Sequence, residues 1–153
     1  MPEPAWAGSG YSSHKPMSQH FRPIEFACHD GTPYPEKWID SRLGRLCSLL
    51  EKIRGVWGFP LIVISGYRTP VYNERIRGVS KSQHCEGRAA DIRPMRVSDV
   101  PALLAKVEVL IAKNELGDLG GLGVYPAWLH VDTRPHKDGS VARWQGKGLG
   151  SET

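Results

Sequence analysis

The sequence of 153 residues contains no apolar run of about 18 residues, the length a helix needs to span a bilayer, so no membrane span is expected. Its three cysteines, Cys28, Cys47 and Cys85, are odd in number, and no two of them form a C-x-x-C pair. Neither a disulfide framework nor a structural zinc site built on thiolates is therefore expected. Lys and Arg, 20 against 16 Asp and Glu, give a net charge of +4, but they are scattered. Without a basic run, the charge predicts weak adsorption to polyanions and no nucleic-acid partner. The N-terminal residues lack the basic and apolar regions of a signal peptide, which predicts synthesis in the cytoplasm. No internal repeat is visible.

What is present suits one globular domain. An apolar fraction of 40% and a charged fraction of 24% are ordinary, and the length allows a core that needs no staples. A monomer is expected. Residues 1–19 mix Pro, Gly, Ser and His without periodicity and read as a flexible arm. Residues 20–146 form the expected domain, and the Gly-rich end, 147–153, reads as a flexible tail.

Within the domain, apolar residues from Trp38 to Val56 recur at steps of three and four, which predicts an amphipathic helix over 35–57, stopped by Gly58 and Pro60. Leu61-Ile62-Val63-Ile64 is β-branched and short, a buried strand. Thr69 before Pro70 predicts an N-cap and a short helix to about Arg77. A second strand is expected at 88–92. A second long helix follows, capped by Ser98 and running to about Asn114. Strands near 122–125 and 128–133 meet at Pro126-Ala127 as a hairpin. The fold class is α+β: a small antiparallel sheet packed against two main helices.

Chemistry concentrates in three places. Ser82-Gln83-His84-Cys85-Glu86-Gly87-Arg88-Ala89-Ala90-Asp91 sets a His and an Asp seven apart, the His on a loop and the Asp on the strand it enters. A catalytic zinc takes three nitrogen or carboxylate ligands and keeps one position open, so a third ligand is required. His130, on an apolar strand, is the best candidate. Asp132, two residues on, shares its face. It is placed either to take a proton from water or to orient the imidazole.

The pattern S-x-H-x-x-G-x-A-x-D, filled by Ser82, His84, Gly87, Ala89 and Asp91, resembles the M15 type of zinc D-Ala-D-Ala peptidase, especially its small murein peptidases and phage lysins. Ser65-Gly66-Tyr67-Arg68-Thr69-Pro70, Asn73, His130-Val131-Asp132-Thr133-Arg134 and Ala142-Arg143-Trp144 extend the resemblance from Phe21 to Trp144. It implies one Zn2+ held by His84, Asp91 and His130 in an enzyme that hydrolyses peptide bonds of bacterial peptidoglycan. It also implies that Arg68 contacts the substrate carboxylate or the carbonyl under attack. A guanidinium suits that role, being a rigid fork of donors beside a developing oxyanion. Several relatives carry Glu or Asp three residues before the last His; here that position is Ala127. Asp132 is the substitute, with Arg68 as the other catalytic residue and Arg68, Tyr67 and Ser82 as substrate contacts.

Blander readings stand beside these. Arg68 could pair with Glu74, and Ser82 could only hold its loop. Trp128 and Trp144 read either as core or as an aromatic wall. Cys85, next to a ligand, lacks a reserved His partner and is not expected to be a nucleophile. Carboxypeptidase and endopeptidase action both remain open. So does a non-catalytic zinc module that binds wall peptides or a protein partner, which Ala127 favours. Access to the wall is expected through holin-type release or as part of a virion.

Overall fold

Helix α1, Gly44–Trp57, buries Leu46, Cys47, Leu49, Leu50 and Ile53, the stripe that the three-and-four spacing requires. In the computed structural model, which describes residues 14–136 and 138–147, the helical path does begin near residue 35 but not as one α-helix. A 3-10 turn, Glu36–Trp38, and a π turn, Ile39–Leu43, precede α1. Such a wide turn holds one more residue than an α turn. Trp38 can thereby stack edge-on against Tyr67, with ring centroids 6.1 Å apart, while Ile39 and Leu43 stay in the core. Backbone N–H of Gly58 bonds the Arg54 carbonyl and closes the helix.

Strand β1, Leu61–Ser65, is followed by α2, Pro70–Arg75, whose N-cap Thr69 accepts from the Tyr72 N–H at 3.1 Å. The helix stops two residues earlier than the sequence predicts, because Arg77 turns into the left-handed region (φ 62°). Strand β2, Ala89–Pro94, runs two residues past the expected end. Ser98 is not the cap of α3: it lies inside a 3-10 turn, Val97–Asp99, and α3 spans Val100–Ala112. Strands β3, Gly121–Val124, and β4, Leu129–Asp132, form the expected hairpin, closed by the Tyr125 N–H to the Trp128 carbonyl.

The sheet has the order β1-β2-β4-β3-β5. All pairs are antiparallel except β3 with β5, Ala142–Gln145, which is parallel. That last strand was not expected, since its short, mostly exposed sequence carries no alternation. Two-residue periodicity divides the sheet's faces. Ala90, Ile92, Leu122, Leu129 and Val131 join α1 and α3 in one core, whereas Asp91, His130 and Asp132 belong to the opposite face. The architecture is α+β, a mostly antiparallel sheet against two main helices.

Most of the expected arm and all of the expected tail but Lys147 lie outside the described residues. Ser18, at the described end of the arm, and His20, the first residue after it, hydrogen-bond the Glu51 carboxylate on α1, each at 2.6 Å.

Truncating Leu50, fully buried beneath the sheet, should lower stability by about 2–5 kcal/mol. Urea unfolding of Leu50→Ala is the check, and a midpoint unchanged from the parent would contradict this placement of the core.

Candidate metal centre

Strand pairing builds the site. Asp91 lies opposite His130, His130 opposite Gly123, and Gly123 opposite Trp144, a row running across four strands. Beyond Asp91, the row reaches Ser65 at the irregular end of β1. The glycine matters because a Cβ at 123 would lie 2.4 Å from Trp144 Nε1. With no side chain there, the indole leans across β3 until its ring centroid is 5.0 Å from that of His130. Its Nε1–H donates to the Tyr125 hydroxyl at 3.0 Å, and Tyr125 stacks on Trp128, with planes 11° apart.

His84 arrives from the loop before β2. Its backbone N–H donates to the Ser82 hydroxyl at 3.1 Å, and its carbonyl accepts from the Arg68 N–H. Gly66 allows the chain to pass close to Phe26, whose Cα would lie 2.6 Å from any Cβ at that position. The Gly66 carbonyl is thereby set 2.7 Å from His84 Nδ1. A carbonyl only accepts, so Nδ1 carries the proton and Nε2 keeps its lone pair.

His130 is the mirror case. Its Nε2 lies 2.7 Å from Asp132 Oδ2, and an ionised carboxylate only accepts, so the lone pair sits on Nδ1. Burial alone would push the Asp132 carboxyl up. Hydrogen bonds from His130 and Arg134 outweigh that and hold it far below the usual carboxylate range.

These two lone pairs meet at Asp91. Its Oδ1 lies 3.3 Å from His84 Nε2 and 3.2 Å from His130 Nδ1, and all three ligand atoms fall within 4.8 Å of one another. Among the described residues these three atoms are buried and meet no hydrogen-bond partner, an arrangement costly for polar atoms unless something else binds them. Ligands about 2.0–2.1 Å from a tetrahedral zinc stand roughly 3.3–3.4 Å apart, which the two measured spacings approach. The residues therefore fit a zinc ion with three protein ligands. Burial raises the pKa of Asp91; when the two imidazoles are protonated, their positive charge and N–H groups outweigh this and hold the carboxyl well below the ordinary value.

Arg68, 3% exposed, adjoins the same carboxylate from the other side. Its Nη2 is 3.4 Å from Asp91 Oδ2, its Nε donates to Ser65 Oγ at 3.2 Å and its Nη1 to Asn73 Oδ1 at 3.3 Å.

The structure thus brings Arg68, His84, Asp91 and His130 together and sets the other candidates one step away. Asp132 stands behind His130, at the nitrogen turned away from the cluster. Its oxygens are taken by His130 and by Arg134, the latter at 2.7–3.1 Å. Ser82 is buried under His84, and Tyr67 packs edge-on against Tyr34 and Trp38. Burial raises the Cys85 thiol, Arg68 offsetting only part of this, opposite to what a thiolate nucleophile needs. Gly123, Arg134 and Trp144 also build the site, although the sequence pattern did not single them out as ligands or substrate contacts; Arg134 and Trp144 lie in the two C-terminal segments that carry the resemblance.

With this geometry in view, comparison with known families is informative: residues 19–132 match the model of the Peptidase M15 family. The chain belongs to the M15 peptidases. Membership implies peptidase activity, and among the described residues the buried His84-Asp91-His130 group could hold a metal. No curated protein matches the chain.

If Asp132 fixes the His130 tautomer, its loss should weaken metal binding rather than the fold. Asp132→Ala is expected to lower zinc affinity by about 10- to 100-fold, read by competition with a chromogenic chelator. Wild-type affinity in the variant would remove Asp132 from the site.

Proposed function

We propose that this M15 chain is a zinc peptidase that hydrolyses peptide bonds in bacterial peptidoglycan. The observation that carries the reading is the trio of lone-pair atoms on His84, Asp91 and His130, spaced for zinc, with the Arg68 guanidinium against the second oxygen of Asp91. When bound, zinc supplies a Lewis acid and acidifies water into the range where it attacks a carbonyl at neutral pH.

The remaining work falls to the chain. Arg68 directs its fork at the substrate's carbonyl oxygen or terminal carboxylate, where positive charge lowers the energy of the developing oxyanion. Gly66 and Asp132 hold the two imidazoles in the tautomers that ligation needs. Asp132 acts in this reading as an orienting group and not as the base, because both its oxygens are engaged behind His130. Trp144 walls the site on the β5 side, beyond His130. Tyr67 lies on the β1 side with Arg68, and Ser82 serves by holding the His84 loop.

A second reading, a non-catalytic zinc module that binds wall peptides, is favoured by Ala127, which stands where several relatives carry a carboxylate. Among the described residues, no helix is long and apolar enough to cross a membrane. We propose delivery to the wall by holin-type release or within a virion.

Incubating the zinc-loaded protein with purified sacculi should release new amino groups, and a chelator should stop it. Mass spectra of the released muropeptides name the bond cut. Intact sacculi after incubation with the zinc-loaded protein would favour the binding module. His84→Ala should remove bound zinc and hydrolysis together; a variant that keeps one zinc per chain overturns the ligand assignment.

A further inference from the structure

We propose that Asn73 is the positioning residue that fixes the plane of the Arg68 guanidinium, seated in a space that only a glycine at 78 leaves open. This rests on the reading of Arg68 as the group that meets substrate.

Asn73 is a buried amide on the short helix α2, 3% exposed. A buried amide stays only where its donors and acceptor find partners. Its Nδ2 donates to the Val79 carbonyl at 2.7 Å. A carbonyl cannot donate, so the orientation of the amide is decided and Oδ1 must point the other way, to Arg68 Nη1. The backbone closes the same unit: the Asn73 N–H bonds the Thr69 carbonyl at 2.9 Å, and the Gly78 N–H bonds the Asn73 carbonyl at 2.8 Å.

Gly78 makes the seat. A Cβ there would lie 2.0 Å from Asn73 Oδ1 and 2.7 Å from its Cγ. Any other residue at 78 must expel the amide or shift the turn.

The guanidinium is thus met at three corners, by Ser65 at Nε, Asn73 at Nη1 and Asp91 at Nη2. Each contact is 3.2–3.4 Å long and weak alone; together they define the plane of a rigid fork. Asp91 is committed to the metal cluster and Ser65 lies on the β1 edge. Asn73, neutral like Ser65 but held at the Nη1 end by its own buried seat, fixes the fork without cancelling the charge that Arg68 brings to the substrate.

Two measurements on Asn73→Ala test this. The first, independent of activity, is the nitrogen-15 NMR spectrum of arginine side chains, where hindered rotation gives separate Nη signals. The parent should show such a resolved set, assigned to Arg68 by its absence in Arg68→Lys, and Asn73→Ala should merge it. The second is turnover of purified sacculi, expected to fall about tenfold with zinc content and melting temperature kept. Gly78→Ala should merge the signals likewise. In the double variant Asn73→Ala/Gly78→Ala, the clash is gone, so it should behave as Asn73→Ala alone.

Unmerged Arg68 signals in a folded Asn73→Ala protein overturn the proposal, as does loss of zinc or fold in that variant, which would make the role structural. Merged signals with undiminished turnover uphold the anchoring and overturn the reading of Arg68 itself.

Discussion

Asp91 and His130 face each other because β2 and β4 pair antiparallel in one register, and nearly everything at the site depends on that pairing. Side chains alternate along a strand, so a slip of one residue would send Asp91, His130 and Asp132 into the apolar core and turn Ala90, Leu129 and Val131 outward. Packing the apolar set against α1 and α3 therefore does more than stabilise the sheet. It selects the one register in which Asp91 and His130 meet, and it does so from the opposite face of the sheet.

A second constraint is the burial of polar groups. His84, Asp91, His130, Asp132 and Arg68 are all nearly inaccessible to solvent, where each unsatisfied polar atom costs on the order of 1–3 kcal/mol. The chain answers by giving every outward nitrogen of the two imidazoles a protein acceptor, the Gly66 carbonyl or the Asp132 carboxylate. Within this cluster, the buried atoms left without a hydrogen bond among the described residues are His84 Nε2, Asp91 Oδ1 and His130 Nδ1, those a metal would take. Small residues make this possible. Gly66 and Gly123 leave room where a Cβ would collide with Phe26 or Trp144, bringing a backbone carbonyl and an indole within reach of the two histidines.

Much of this was legible in the order of residues. Steps of three and four from Trp38 to Val56 announced α1, and Thr69-Pro70 announced α2. The spacing of Ser82, His84, Gly87, Ala89 and Asp91 announced the site. Less legible were features that depend on distant partners. The π turn before α1 accompanies the contact of Trp38 with Tyr67, the 3-10 turn Val97–Asp99 displaces Ser98 from the start of α3, and β5 adds to β3 as its neighbour. Local propensity carries no record of such contacts.

The sequence by itself determined the fold class and pointed to the His84, Asp91 and His130 side chains that meet in one buried group, because periodicity and side-chain type are local properties. Only the tertiary structure decided which nitrogen of each histidine faces the cluster and on which side of His130 the Asp132 carboxylate lies. It also decided that Arg68 shares Asp91 with the two histidines. Those are relations between atoms brought together by strand register and close backbone approach, and a one-dimensional pattern cannot state which face of an imidazole a distant strand will meet.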